Sequence, residues 1–525
     1  MTARRRSGLL IPLFSAPSSR SWGVGDISDL APLSRWLAGA GQRILQLLPI
    51  NEMARGHHSP YSAMSAMAID PIYIDVSLVA EFRDSGGEGS LDAAGRDALD
   101  AARKARHVNY EAVRTVKDQA LCAAFDRFLA NDWNRRSPRA AQLQAYLASQ
   151  AWWLDDYGLF RAIHDREKGR SWLEWPTPLR DREPDALEDA RRTLSRAVLY
   201  YQYLQWLAGS QWHYARQQAA ALDVALFGDL PFMVDTHSAD VWQHQHCFQL
   251  DRSVGVPPDA FSATGQDWGM PAYDWDSLAA SGFRWLRHRA RRSADLYDGY
   301  RVDHLVGFYR TYSRPRSGDG EPAFSPADEP DQLALGERVL DIFRAPGSEI
   351  VAEDLGTVPD FVRASLADLG VPGFRVFRWE REWDLEGEPF RDPAAYPAAS
   401  VAASGTHDTE PMIAWWESAG DEERRAVAAI PTVSRIAGGR RAAGLQSSEV
   451  RDILIEALFA SGSDVLLFPI QDVFGWRDRI NEPATVGPEN WTYRLPWPVD
   501  RFADQPEARE RQQALRRWTE KYGRR

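Results

Sequence analysis

Short apolar runs alternate along the chain with amphipathic stretches of helical period. Runs rich in Val, Ile, Leu and Phe fall at 43–50, 224–234, 299–308, 349–356, 374–379, 401–409 and 464–472, with an earlier one at 8–14. Each has strand length and is nearly continuous rather than alternating, as a strand buried on both faces reads. Seven or eight such units, mostly separated by helical patterns, predict an α/β fold, a (β/α)8 TIM barrel with helical and loop insertions on its C-terminal face. An open doubly wound sheet is disfavoured because no Gly-rich phosphate fingerprint follows any run. The run at 8–14 follows Arg4, Arg5 and Arg6 and precedes small residues, the outline of a secretory leader. Pro12 breaks it, and a first barrel strand is the better reading.

The spacing of the units is uneven. Residues from about 90 to 220 are rich in Ala, Leu, Arg and Glu at helical period, which predicts a largely helical insertion plus a barrel helix. The stretch at about 235–276 is dense in His, Trp, Gly and Pro and reads as an irregular active-site loop, because long loops after strand C-termini build that face of a barrel. Residues 313–330 read as another surface loop, the tail KYGRR as a short frayed end, and the aromatic run at 200–207 as core packing. The whole chain, 1–525, is expected to form one catalytic barrel.

Composition narrows the function. A net charge of −12 with no Lys/Arg-rich run argues against nucleic acid. No run approaches the roughly 18 uninterrupted apolar residues of a membrane span. Cys122 and Cys247 stand far apart, which fits a reducing cytoplasm and no disulfide framework. The 21 Trp, as many as the Phe, supply flat rigid surfaces on which sugar rings stack, although most Trp in any protein pack the core. His244, His246 and Cys247 lack the second ligand pair of a metal site.

Three strand ends finish in an acid set among polar neighbours: YDGYRVDHLVGFYR, SEIVAEDLG and AASGTHDTEP. Residues two apart on a strand share a face, so Arg301 projects beside Asp303 and favours its carboxylate form, as a nucleophile needs. The apolar approach Ile350, Val351 and Ala352 favours a protonated Glu353, as a general acid needs. His407 and Asp408 lie in a Gly/Thr turn suited to gripping hydroxyls. Any one such acid is more often a helix cap or an ion-pair partner. Three on separate strands point to glycosidic bond exchange.

The clusters RVDHLVGF, IVAEDLG and GTHDTE resemble the signature segments of the 4-α-glucanotransferases, or amylomaltases, of glycoside hydrolase family 77. GLLIPLFSAPSSRSWGVGDISDL, SPYSAMSAMAIDPIYI, LFGDLPFMVDTHSADVW, GVPPDAFSATGQDWG and RINEPATVGPENWTYRL are similar in the same order, so the resemblance spans nearly the whole chain. It implies a retaining transfer of an α-1,4-glucan segment to the 4-hydroxyl of an acceptor. Asp303 matches the family's nucleophile, Glu353 its acid/base and Asp408 its transition-state stabiliser. Arg301 and His407 match residues around the scissile sugar, Asp229 the acid ending the third strand, and Ser59 and Tyr61 the donor-pocket segment SPY. Asp259, Phe261, Gln266 and Trp268 match a loop closing over the glucan, and Asn481 a segment flanking the acceptor side. Trp379 and Trp491 are further candidates for sugar contact. The resemblance further implies maltooligosaccharides as substrates, a cytoplasmic enzyme, and neither metal nor cofactor, and it is compatible with monomer or homodimer. Ala260, Met270, Asp70, Glu482 and Ala484 depart from the usual residues. A retaining α-glucan hydrolase and a non-catalytic glucan-binding protein are the alternatives.

Overall fold

The computed structural model describes residues 5–258, 265–438, 446–483, 485 and 487–524. Its strands are β1 (Arg6–Leu10), β2 (Ile44–Gln46), β3 (Ala225–Leu230), β4 (Phe248–Val256), β5 (Gln266–Tyr273), β6 (Gly299–Val302), β7 (Thr311–Pro315), β8 (Ala323–Ser325), β9 (Glu349–Ala352), β10 (Gly373–Val376), β11 (Ser400–Ala403) and β12 (Val465–Pro469). Eight of them close a parallel barrel in the order β1-β12-β11-β10-β9-β6-β3-β2. The barrel read from the apolar runs is therefore the fold, and the run at 8–14 begins inside its first strand. The strands are shorter than the runs because the apolar residues continue into the loops, as in the short helix Leu305–Phe308 beyond β6.

Both faces of the strands are dry, as near-continuous apolar runs require. Ile44, Phe227, Val351, Phe374, Val401, Ala403, Val465 and Leu467 form one cluster, while Leu45, Leu226, Ala402 and Leu466, one residue out of phase, belong to the larger apolar core. Gly8 allows β1 to approach β2, since a Cβ there would lie 2.2 Å from the Ile44 carbonyl oxygen.

Between β2 and β3 the chain is mostly helical, with long helices at Ala93–Lys104, Tyr110–Phe128, Pro138–Arg166 and Ser195–Ala220. Their starts follow the sequence: Asp92 accepts the Gly95 N–H, Asn109 the Ala112 N–H, and Ser137 the Arg139 and Ala140 N–H groups ahead of Pro138. Tyr201, Tyr203 and Trp206 are buried, so the aromatic run packs the core as expected.

Three features differ from the sequence reading. The stretch at 235–276 is not irregular throughout: β4 and β5 pair antiparallel, in a second sheet of order β5-β4-β7-β8. Register shifts between Gln249 and Gly255 break the alternation that would have marked these strands. Residues 313–330 likewise contribute part of β7 and all of β8 rather than a bare loop. As far as Arg524 the tail is ordered rather than frayed. Gly523, at φ +65°, ends the helix Pro506–Tyr522 and turns Arg524 inward, where it is fully buried. Its guanidinium donates to the carbonyl oxygens of Phe459, Ser461 and Ser463 at 2.8, 2.9 and 2.8 Å. Among the described residues no helix is long and apolar enough to cross a membrane.

Candidate active site

Parallel strands in a closed barrel deliver all their C-terminal ends to one rim, so side chains far apart in sequence meet there. Arg301, buried on β6, is the hub. Its Nη1 donates to both carboxylate oxygens of Asp229 on β3, each at 2.8 Å, and lies 2.9 Å from Oδ1 of Asp303. Its Nη2 lies 3.8 Å from Oε2 of Glu353, just beyond β9. One guanidinium thus serves three carboxyl groups from three strand ends. The ladder holds them in place: the Asp303 N–H donates to the Leu230 carbonyl and the Glu353 N–H to the Val302 carbonyl, both at 3.0 Å.

The three acids are not equivalent. The Asp229 side chain is fully enclosed and that of Asp303 is 25% exposed. Oδ2 of Asp303 has no hydrogen-bond partner among the described residues. Glu353 accepts the His304 N–H on Oε2 at 2.7 Å and the Leu355 N–H on Oε1 at 3.3 Å. Burial pushes its carboxyl up to about 7, against the pull of Arg301 and with a further push from Asp303. Burial also raises Asp229, with Arg301 opposing.

A second constellation follows β11. The turn is fixed by Thr406 and Thr409, whose backbone and hydroxyl groups bond one another at 3.0 and 3.1 Å. It presents His407, with Nε2 3.2 Å from Oδ2 of Asp408. Asn481 donates to Oδ1 of Asp408 at 2.7 Å and Arg479 to its backbone oxygen at 2.9 Å. Burial alone would raise Asp408, but the His407 charge and hydrogen bond, with Asn481 and Arg301 adding to them, hold it down at about 2. In return His407 is raised: burial opposes its protonation and Asp408 outweighs burial.

Tyr61 joins the two groups. Its hydroxyl donates to Oδ2 of Asp229 at 2.8 Å and lies 3.1 Å from Nε2 of His407, and its ring stacks on the imidazole with centroids 5.4 Å apart. Ser59 Oγ accepts the Tyr61 N–H at 3.4 Å. Trp491 packs against both rings, at 5.7 Å from each. On β5, Gln266, Trp268 and Met270 are half-buried at alternate positions, and Trp268 Nε1 donates to Gln266 Oε1 at 3.2 Å. Asp259, Ala260, Phe261 and Ala484 lie outside the described residues.

Arg301, Asp303, Glu353, Asp229, Tyr61, His407, Asp408 and Asn481 are therefore joined in one connected network. Gln266 and Trp268 reach it through His304, whose ring meets the Trp268 indole edge-to-face at 4.9 Å. His304 and Arg479 were not singled out by the sequence reading. His304 takes a left-handed backbone, φ +41°, which aims its N–H at Glu353. Its place directly after Asp303 was the available signal, but a positive φ at a non-glycine residue leaves no mark in sequence. A carboxyl raised to about 7 beside a partly exposed carboxyl on the same arginine equips the rim for paired acid and nucleophile chemistry.

Comparison with known proteins agrees in fold and extent. Residues 11–500 match the family model described as 4-alpha-glucanotransferase, glycoside hydrolase family 77. The 4-alpha-glucanotransferase of Synechocystis sp. is 34% identical over 509 residues, covering 94% of each chain. That of Thermus thermophilus is 32% identical over 512 residues, covering 94% of this chain and 95% of its own. Among solved structures, the amylomaltase of Streptococcus agalactiae in complex with acarbose superposes with a TM-score of 0.82 at 26% identity, over 99% of this chain and 100% of that one.

Proposed function

Given that the chain belongs to the 4-alpha-glucanotransferase family, glycoside hydrolase family 77, and has the family's 4-alpha-glucanotransferase activity, we propose that Asp303, Glu353 and Asp408 carry the reaction as a retaining double displacement on maltooligosaccharides. The observation that carries this assignment is the meeting of strand-end acids on one guanidinium, Asp303 at 2.9 Å and Glu353 at 3.8 Å from Arg301, with burial raising Glu353 to about 7.

Glu353 gives its proton to the α-1,4 glycosidic oxygen while an oxygen of Asp303 attacks the anomeric carbon. The C–O bond to the leaving chain breaks and a β-linked glycosyl ester forms. The leaving chain departs with the proton, and Glu353 is left as a carboxylate. It then takes the proton of an acceptor 4-hydroxyl, whose oxygen attacks the anomeric carbon, so that the bond from that carbon to Asp303 breaks and the carboxylate is freed. Arg301, bound to Asp229 and Asp303, holds the nucleophile in place and balances its charge. Asp408 and His407 bind ring hydroxyls, with contacts that tighten as positive charge develops on the sugar. Tyr61, with Ser59 beneath it, forms the donor wall and Asn481 holds Asp408. Gln266 and Trp268 close over the glucan and exclude water, which at about 55 M competes with every acceptor. Acarbose in the Streptococcus agalactiae amylomaltase supports a glucan in this cleft. Two unpaired cysteines support action in the cytoplasm.

Incubation with maltotriose and separation of the products by size tests the reading. Glucose and a ladder of longer chains are expected, with few new reducing ends. Reducing ends rising as fast as chains redistribute would make the protein a hydrolase. Asp303→Asn is expected to lower the rate at least about 1,000-fold, because an amide cannot form the ester. Full activity in that variant would remove Asp303 from the nucleophile's role.

A further inference from the structure

Trp379 and Trp383 stand apart from the other tryptophans. Of the 21 in the chain, these two alone have no aromatic, cation–π or indole N–H partner among the described residues. Trp383 is 62% exposed, Leu385 57% and Trp379 39%. Lack of interior space does not explain this. Phe377 and Phe390, in the same loop, turn inward and stack with centroids 5.8 Å apart and planes 8° from parallel. The sequence sorts its aromatic residues here, two phenylalanines inside and two tryptophans outside.

The loop holds its shape. The Glu382 N–H donates to the Pro389 carbonyl and the Arg391 N–H to the Glu380 carbonyl, both at 2.9 Å. Arg391 pairs with Glu382 at 3.1 Å, and Arg381 lies over the Phe390 ring at 3.9 Å while reaching Glu423 at 3.0 Å. A pinned backbone leaves the loop itself little conformational freedom to lose on binding.

Its position gives the occupant. The loop follows β10, the barrel neighbour of β9, so it rises from the catalytic rim directly beside Glu353. Its root is tied to the residue after Glu353, because Asp354 accepts the Phe374 N–H at 2.6 Å and Arg375 Nη1 at 3.1 Å. An acid/base flanks the leaving-group side of the cleft. Glu382, Asp384, Glu386 and Glu388 alternate with or follow the apolar residues. They repel anionic lipid and nucleic acid while offering acceptors to sugar hydroxyls.

We infer that Trp383, with Leu385 and Trp379, forms a stacking platform for the outer glucose units of long α-1,4-glucans on the acceptor side. This rests on the assignment of Glu353 as acid/base. The platform lies outside the reacting centre, so only chains that extend beyond the cleft engage it, and it sets a preference for acceptor length.

The test compares Trp383→Ala and the double variant Trp383→Ala/Leu385→Ser with wild type, using maltotriose as donor and glucose, maltoheptaose or amylose as acceptor. The rise in acceptor KM is expected to grow with chain length, reaching about fivefold for amylose, the scale of one lost ring stack. Retardation in native gels containing amylose is expected to weaken in parallel. Tyr214→Ala, which removes another exposed ring, serves as the control and is expected to match wild type. A loss equal for all acceptors, or no change in KM or gel mobility, overturns the platform. So does a shift of the wild type from dimer to monomer in Trp383→Ala, which makes the patch a contact between copies. If wild-type enzyme makes no ladder from maltotriose, the catalytic reading falls, and the gel measurement still decides the platform by itself.

Discussion

Glu353 and Asp408 each follow a barrel strand by a few residues, yet one holds its proton to about 7 and the other only to about 2. Burial pushes both upward, and the difference lies in what stands opposite. Asp408 faces His407 and Asn481, whereas Glu353 shares Arg301 with two other acids. The first step needs protonated Glu353, so kcat/KM is expected to fall about tenfold per unit above pH 7, as a pH–rate profile checks. Stability follows the same group. A carboxyl whose value is raised in the fold stabilises it fully below the unfolded value of about 4.3, and that contribution is lost as pH rises through about 7. Glu353→Gln, which cannot ionise, is therefore expected to gain on the order of 1–3 kcal/mol over wild type at pH 8 and nothing near pH 4, read from melting curves at each pH. Equal melting shifts at both values would deny Glu353 its buried environment. The acids themselves were legible in sequence because each ends an apolar run in a polar cluster. Their neighbours in sequence, Arg301 and His407, were legible with them, and Asn481 was expected at the acceptor side; its contact with Asp408, across 73 residues, was not, because the fold alone supplies it.

At the scale of elements, the barrel strands were legible because they are dry on both faces and stay apolar without interruption. The β4–β5 pair was not, because one of its faces is partly open and its register shifts break the period of two. That openness matters to the chemistry. Trp268 meets His304, and the His304 N–H bonds Glu353, so the hairpin and the acid share one intermediary. Trp268→Ala is expected to raise hydrolysis relative to transfer several-fold, since it opens the cleft to water. Free reducing ends per transferred unit, measured with maltotriose, give that ratio, and an unchanged ratio would remove Trp268 from water exclusion.

At the scale of the molecule, the rim opposite the site holds the chain together. Arg524 closes the turn at 459–463 that feeds β12, and the same Ser461 carbonyl accepts from Arg5 at the start of β1. Nothing in KYGRR announced this, because burial of Arg524 depends on carbonyls supplied by a distant turn. Arg524→Ala leaves those carbonyls unpaired and is expected to lower stability by about 1–3 kcal/mol with little change in kcat, measured by denaturant unfolding and the maltotriose assay. A variant as stable as wild type would show that the arginine only occupies space.

Arg5 also donates to the Tyr522 carbonyl at 3.3 Å, so the first and last described segments touch on the face away from the substrate. Arg5 and Arg524 therefore clasp the seam where β1 meets β12 from two distant parts of the sequence, so loosening either one slackens the closure of the barrel on the face away from the substrate.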